Sequence, residues 1–207
     1  MQKGRAFLGV AVGAALVAAI GAYAYASGGR NAPSSFDVEH SDLLPAEARA
    51  FSDFALYSLG DSHRGAPLVA ITRRLDPPLS ESDVPLTVRA NFVNHIYGDC
   101  RAESDTGCAP PLQVQVWPAC ERNLSVYPTD DWFDVERTTV RGVPAAFFEN
   151  GARLELYTGD VTIVIFGLGR QHVVQAAEAL QPANSRASAA RNLPSPRAGA
   201  LEGRLGC

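Results

Sequence analysis

Apolar positions along this chain fall into one unbroken run, several alternating stretches and one helical stripe. Residues 6–26 are 21 apolar or small residues without charge, behind a head that holds Lys3 and Arg5. At about 1.5 Å per residue the run reaches about 30 Å, the thickness of a hydrocarbon core. It predicts one N-terminal transmembrane or signal helix, with the basic head in the cytoplasm and the rest of the chain outside. Further on, Leu86, Val88, Ala90 and Phe92 alternate with polar neighbours, as do Leu112, Val114 and Val116. Each stretch predicts a strand with one buried and one wetted face. Residues 55–59 and 68–72 are further strand candidates, and 45–51 a short helix entered at Ser41 or Asp42.

The C-terminal signals are the clearest. Residues 144–149 read as an apolar strand, Asn150-Gly151 as a hairpin turn, and 153–157 as an alternating strand. After a second turn at Gly159-Asp160, residues 161–166 are apolar on both faces apart from Thr162, which predicts a central, covered strand. Val173, Ala176, Ala177 and Leu180 share one stripe of a helix over 171–180, and Pro182 stops it. The whole predicts an α+β class, an antiparallel sheet with a C-terminal packing helix, preceded by the N-terminal transmembrane or signal helix.

Composition divides the chain into 1–26 (signal anchor or signal peptide), 27–35 (linker), 36–182 (extracytoplasmic domain) and 183–207 (tail). Ala24-Tyr25-Ala26 would suit a signal peptidase, but the run is longer than most signal cores, so a retained single-pass anchor is expected and secretion is the alternative. The tail is rich in Ala, Arg, Ser, Pro and Gly, with only Leu193, Leu201 and Leu205 as sizeable apolar groups. So little apolar surface predicts disorder. Residues 31–182 hold 21 Asp and Glu against 11 Arg. A body this acidic repels phosphate backbones, which argues against a nucleic-acid partner.

Four cysteines stand at 100, 108, 120 and 207. Outside the cytoplasm they can oxidise. A Cys100–Cys108 disulfide would pin the loop between two predicted strands and contribute about 2 to 3 kcal/mol on the chain-entropy model. Cys120 then has no clear partner except Cys207, and the pairing of these two stays open. His95, Cys100, Cys108 and Cys120 lack the tight Cys-x-x-Cys pairs of a zinc knuckle. His95 and Cys100, with Asp99 beside them, would face opposite sides of a regular strand, which weakens a catalytic-thiol reading. The acids at 130–136 and 99–105 lack the glycine and spacing of a calcium loop. Among the former, Trp132 and Phe133 form a possible contact patch for a partner or a loop folded onto the core. Gly167-Leu168-Gly169 follows a strand and opens a helix, but His172 stands where a dinucleotide fingerprint needs its third glycine. No catalytic, cofactor-binding or metal-binding residue is assigned.

Residues 141–145, 151–156, 159–166 and the helix reaching 177–180 resemble the extracytoplasmic domains of bacterial anti-sigma factors and lipoprotein-carrier-like sensors. That resemblance implies a curved antiparallel sheet that binds a lipidic or peptide signal without catalysis. Five residues precede the apolar run, so no cytoplasmic domain is expected to hold a sigma factor. The chain as a whole looks like a membrane-anchored bacterial envelope protein. The first expectation for function is a non-catalytic domain that binds a lipid, peptide or envelope protein, in an apolar groove on the sheet. The alternatives are a structural envelope element cross-linked through Cys207 and an envelope hydrolase with paired carboxylates.

Overall fold

Why the alternating stretches need one another is visible in their hydrogen bonding, since each leaves a row of unpaired backbone groups until a neighbour arrives. The computed structural model describes residues 39–75, 91–99, 111–122 and 135–207. The apolar run at 6–26, the Cys100–Cys108 pair and the Trp132 and Phe133 patch lie outside the described residues. Among the described residues no helix is long and apolar enough to cross a membrane.

The elements in chain order are β1 (Glu39–Asp42), α1 (Pro45–Ala50), β2 (Tyr57–Ser58), β3 (Ser62–His63), β4 (Ala66–Leu75), β5 (Asn91–Tyr97) and β6 (Leu112–Pro118). They continue with β7 (Glu136–Val140), β8 (Val143–Phe148), β9 (Arg153–Thr158), β10 (Val161–Gly167), α2 (Arg170–Ala179) and β11 (Gln181–Pro182). One antiparallel sheet runs in the order β1-β4-β5-β6-β10-β9-β8-β7, with β3 beside β4, while β2 and β11 form a separate pair. The α+β reading with a C-terminal packing helix therefore holds for the described residues.

Strand β10 is central as its composition predicts, with β6 on one side and β9 on the other. Ile163 faces Val116 and Leu156 across these two ladders, Val116 faces Val93, and Leu156 faces Ala145. All five are fully buried. Against this face α2 lays Val173, Ala176 and Ala177. Removing one such side chain, as in Ile163→Ala, would cost about 2 to 5 kcal/mol. The opposite face carries a smaller apolar group of Trp117 and Val164, with Phe92 and Phe166 packed on it. Phe92 and Trp117 stack with centroids 4.2 Å apart.

Several expectations are corrected. Helix α1 starts from Leu44, whose N–H donates to the Glu47 carboxylate at 2.7 Å. Ser41 and Asp42 instead pair with Arg73 and Thr72 in β1. The strand expected over 86–92 is described as Asn91–Tyr97, and residues 86–90 lie outside the described residues. The Asn150-Gly151 hairpin is longer than two residues, since Phe148 pairs with Arg153. Glu149, Asn150 and Gly151 all take positive φ there. The tight two-residue hairpin with positive φ at both positions is Arg141-Gly142, joining β7 to β8, a geometry that matches strand twist.

The largest correction concerns 183–207, which returns to the body. Asn184 is buried, and its carboxamide is fully used. Its Oδ1 accepts from the Leu56 and Arg186 N–H groups at 3.0 and 3.3 Å, and its Nδ2 donates to the Phe51 and Phe54 carbonyls at 2.9 and 2.8 Å. Arg141 donates to the carbonyls of Leu180, Ala190 and Arg191. Leu193 is 5% exposed. Apolar content alone misjudges this segment because backbone carbonyls gripped by Arg and Asn do the holding.

Candidate functional site

The returning tail walls one side of a half-open cavity at one end of the sheet. Strands β9 and β10 are joined there by Gly159-Asp160, with Thr158 paired to Val161. Beside them β6 ends in a turn: the Ala119 N–H donates to the Asp160 carbonyl at 2.8 Å and the Glu121 N–H to Pro118 at 3.1 Å. That turn carries Cys120 and Glu121. The segment holding Phe54 and Tyr57 forms the opposite wall, positioned by Asn184 and by the Tyr57 hydroxyl, which accepts from the Ser188 N–H at 3.2 Å.

The third wall is the tail. Thr158 donates its hydroxyl to the Pro194 carbonyl at 2.7 Å, and the Gly159 N–H is shared between the Pro194 and Ser195 carbonyls. The Arg197 N–H returns to the Gly159 carbonyl at 3.0 Å, while its guanidinium lies 3.3 Å from Asp160. At the end of the chain Cys207 is bonded to Cys120. This settles the pairing left open by the sequence. The Cys207 sulfur, which the cross-linking alternative would use between chains, is here bonded within the chain.

The space is about 610 Å³ and half open to solvent, within the volume range of sites for small organic ligands. Its lining mixes Phe54, Tyr57 and Val161 with Asp53, Glu121, Asp160, Arg186 and Arg197. Asp53 is paired with Arg73 at 2.9 Å and Arg186 donates to the Ser52 carbonyl at 2.7 Å. Asn91 donates its Nδ2 to Glu121 Oε1 at 3.2 Å. The remaining acceptors of that pair, Asn91 Oδ1 and Glu121 Oε2, are buried and without a hydrogen-bond partner. Unsatisfied buried acceptors cost about 1 to 3 kcal/mol each, and more when charged, so the pair calls for a donor.

A second space of about 300 Å³ lies between β4, β5 and the β2–β11 pair and is lined by His95, Ser58, Asp61 and Gln181. His95 is 1% exposed and its Nδ1 has no hydrogen-bond partner. Burial drives its pKa down to about 4, against the opposing effect of a hydrogen bond to the Val114 backbone. The ring is neutral at pH 7 and sits in register between Ile71 and Val114. Below it Tyr97 accepts from the Leu59 N–H at 2.8 Å and donates to the Gly60 carbonyl, and burial pushes its phenol up to about 12. The zinc and thiol readings joined His95 to Cys100, and the zinc reading also to Cys108, both outside the described residues, and to Cys120, which is bonded to Cys207. Among the described residues no group of three His, Cys, Asp or Glu is placed to hold a metal ion.

On the sheet face opposite α2, Glu155 is fully buried. Arg122 donates to its Oε1 at 2.8 Å, Arg153 lies 3.6 Å from the same oxygen, and the Tyr157 hydroxyl is 3.5 Å from Oε2. Burial beside that carboxylate raises the Tyr157 pKa. The Arg122 guanidinium also covers the Trp117 ring at 4.7 Å. This is an ion-paired centre of the sheet rather than an opening. Gly167 to Gly169 forms the turn from β10 into α2, and β10 is antiparallel to both neighbours, so no parallel β-α-β crossover frames a nucleotide.

The sequence assigned none of the cavity residues. Asn91 stood on the wet side of a predicted strand, Glu121 carried no expectation, and only Cys120 hinted at a tie with Cys207. Comparison of the chain with protein-family models, with curated proteins and with solved structures returns no match.

Proposed function

We propose that this chain is a non-catalytic binding domain of the bacterial cell envelope, held at the outer face of a membrane by residues 6–26, and that it takes a peptide bearing an amine or guanidinium group. The observation that carries the reading is the pair of buried, unpartnered acceptors, Asn91 Oδ1 and Glu121 Oε2, on the wall of a cavity of about 610 Å³. In this conformation both oxygens are sealed from the cavity, so a cationic nitrogen satisfies them once the partly exposed Asn91 and Glu121 side chains turn toward it, whereas a lipid chain satisfies neither. The charged lining, with Asp53, Asp160, Arg186 and Arg197, also suits a polar main chain better than an acyl tail. The apolar groove expected on the sheet is thereby replaced by a half-polar cavity at its end.

The test uses the full chain in detergent micelles. Triarginine, triglutamate and myristate are titrated by calorimetry against the wild type and Glu121→Gln. Triarginine should bind and triglutamate should not, with affinity for triarginine falling at least about tenfold in the variant, the loss of one charge-assisted hydrogen bond. Binding of myristate alone, or equal affinity in the variant, would overturn the peptide reading. Release of free arginine from the tripeptide would favour the hydrolase alternative.

A further inference from the structure

The cavity's third wall is fastened very unevenly along its length. Up to Arg197 the tail is bonded to the sheet through Thr158, Gly159 and Asp160. Beyond Arg197 its backbone bonds turn inward: Ala200 N–H to Arg197, Gly203 to Ala200 and Arg204 to Gly199. Arg204 also pairs with Glu202, its near neighbour. Among the described residues, the disulfide between Cys207 and Cys120 is the link that returns this ten-residue stretch to the sheet. Leu205 and Gly206, immediately before it, line the cavity.

The two cysteines differ in exposure. Cys207 is exposed, whereas Cys120 is half-buried on the β6 turn. An attacking thiolate approaches the more exposed residue more easily, and exchange depends on that access.

We propose that residues 198–207 are a redox-released clasp on the cavity. The reductant is an external dithiol. Its thiolate attacks Cys207 Sγ, forming a mixed disulfide and expelling Cys120 as a thiolate. Its second thiol then resolves the mixed disulfide. Two electrons pass from the dithiol, which leaves as a disulfide, to the Cys120–Cys207 pair, which becomes two thiols once the thiolates take up protons. With the bond broken, the inward-turned stretch swings away from the Pro118 to Glu121 turn, and the wall made by Leu205 and Gly206 is lost. The sheet persists because its ladders and the Arg141 and Asn184 anchors lie upstream of the clasp. The clasp rests on the same cavity as the binding reading, but its opening can be measured with no ligand present.

The experiment is amide hydrogen exchange on the full chain in detergent micelles, read by mass spectrometry, in oxidised and dithiothreitol-reduced buffer. Alkylation and peptide mapping report which cysteines are reduced. Reduction should abolish protection in peptides covering 198–207 and raise exchange at 118–121, while β9 and β10 stay protected. Cys207→Ser in oxidised buffer should reproduce that pattern, since it breaks this bond alone, and reoxidation of the wild type should restore the original one. Protection of 198–207 that persists after Cys120 is shown to be free would overturn the clasp. So would a bond that is reduced only when the β9 and β10 amides are lost as well. If the clasp opens and triarginine still fails to bind the oxidised protein, the binding reading fails and the clasp stands.

Discussion

Cys207→Ser severs a covalent tie between positions 87 apart in the chain, and the size of its effect can be worked from that separation. Cross-linking a loop of this length removes about 15 cal/mol/K from the unfolded ensemble on the chain-entropy model, or about 4.5 kcal/mol at 25 °C. The folded state gives part of this back when the bond is cut, because residues 198–207 gain freedom. The expected loss is therefore about 3 to 4.5 kcal/mol. With a urea slope of about 2 kcal/mol/M for a domain of this size, the midpoint should fall by about 1.5 to 2 M. The assay is urea unfolding of the full chain in detergent followed by tryptophan fluorescence, with Trp117 as a reporter in the sheet. Intact mass after alkylation would verify that the wild-type thiols are masked. A loss below about 1 kcal/mol with the bond verified would refute the reasoning. It would mean that the unfolded chain is already compact enough for the cross-link to cost it little.

Glu155→Gln removes the charge that faces Arg122 and should cost about 3 to 5 kcal/mol in the same assay, because it takes the counter-ion from the Arg122 guanidinium, while Arg153 keeps Glu149 at 2.9 Å; a variant as stable as the wild type would show the pair to be dispensable. Asn184→Ala strips partners from the Leu56 N–H and from the Phe51 and Phe54 carbonyls, and a loss of about 2 to 4 kcal/mol is expected, with less than about 0.5 kcal/mol counting against the anchor. His95 is held by burial at about 4, below its ordinary 6.5, so the unfolded state takes up the proton first. Stability from this group is complete above pH 6.5 and declines as pH falls toward 4, by at most about 3 kcal/mol. His95→Gln should flatten that part of the pH–stability curve, and an unchanged slope would rule the group out as its source.

The parts of the fold legible in the sequence are those where burial is periodic. Residues 161–166 are apolar on both faces because β10 is paired on both edges and covered on both faces, and the stripe of Val173, Ala176 and Ala177 records the face α2 turns to the sheet. Hairpin type was harder to read. Asn150-Gly151 has the composition of a two-residue turn but sits in a longer link, while Arg141-Gly142 makes the tight turn with an arginine at positive φ. The guanidinium of that arginine reaches three tail carbonyls. The cavity was illegible for a related reason. Its walls come from residues near 54, 91, 120, 159 and 206, and no local pattern marks positions that meet only after the sheet has formed. The charge of Glu155 likewise predicts an exposed position, and only the arrival of Arg122 from another strand's end makes its burial tolerable.

Strand order has a consequence for how the chain is made. β6 pairs with β5, its predecessor, on one edge, while its other edge is reserved for β10, which begins 43 residues after β6 ends. During synthesis from the N-terminus, β4, β5 and β6 therefore form a sheet whose last edge, bearing Leu112, Val114 and Val116, is open. An open apolar edge is a template for pairing with another copy. The meander β7 to β10, whose contacts are local, can assemble quickly and then docks as a block onto that waiting edge. Premature termination before residue 161 would leave the template permanently uncovered, so unfinished chains carry a hazard that pairing with β10 removes.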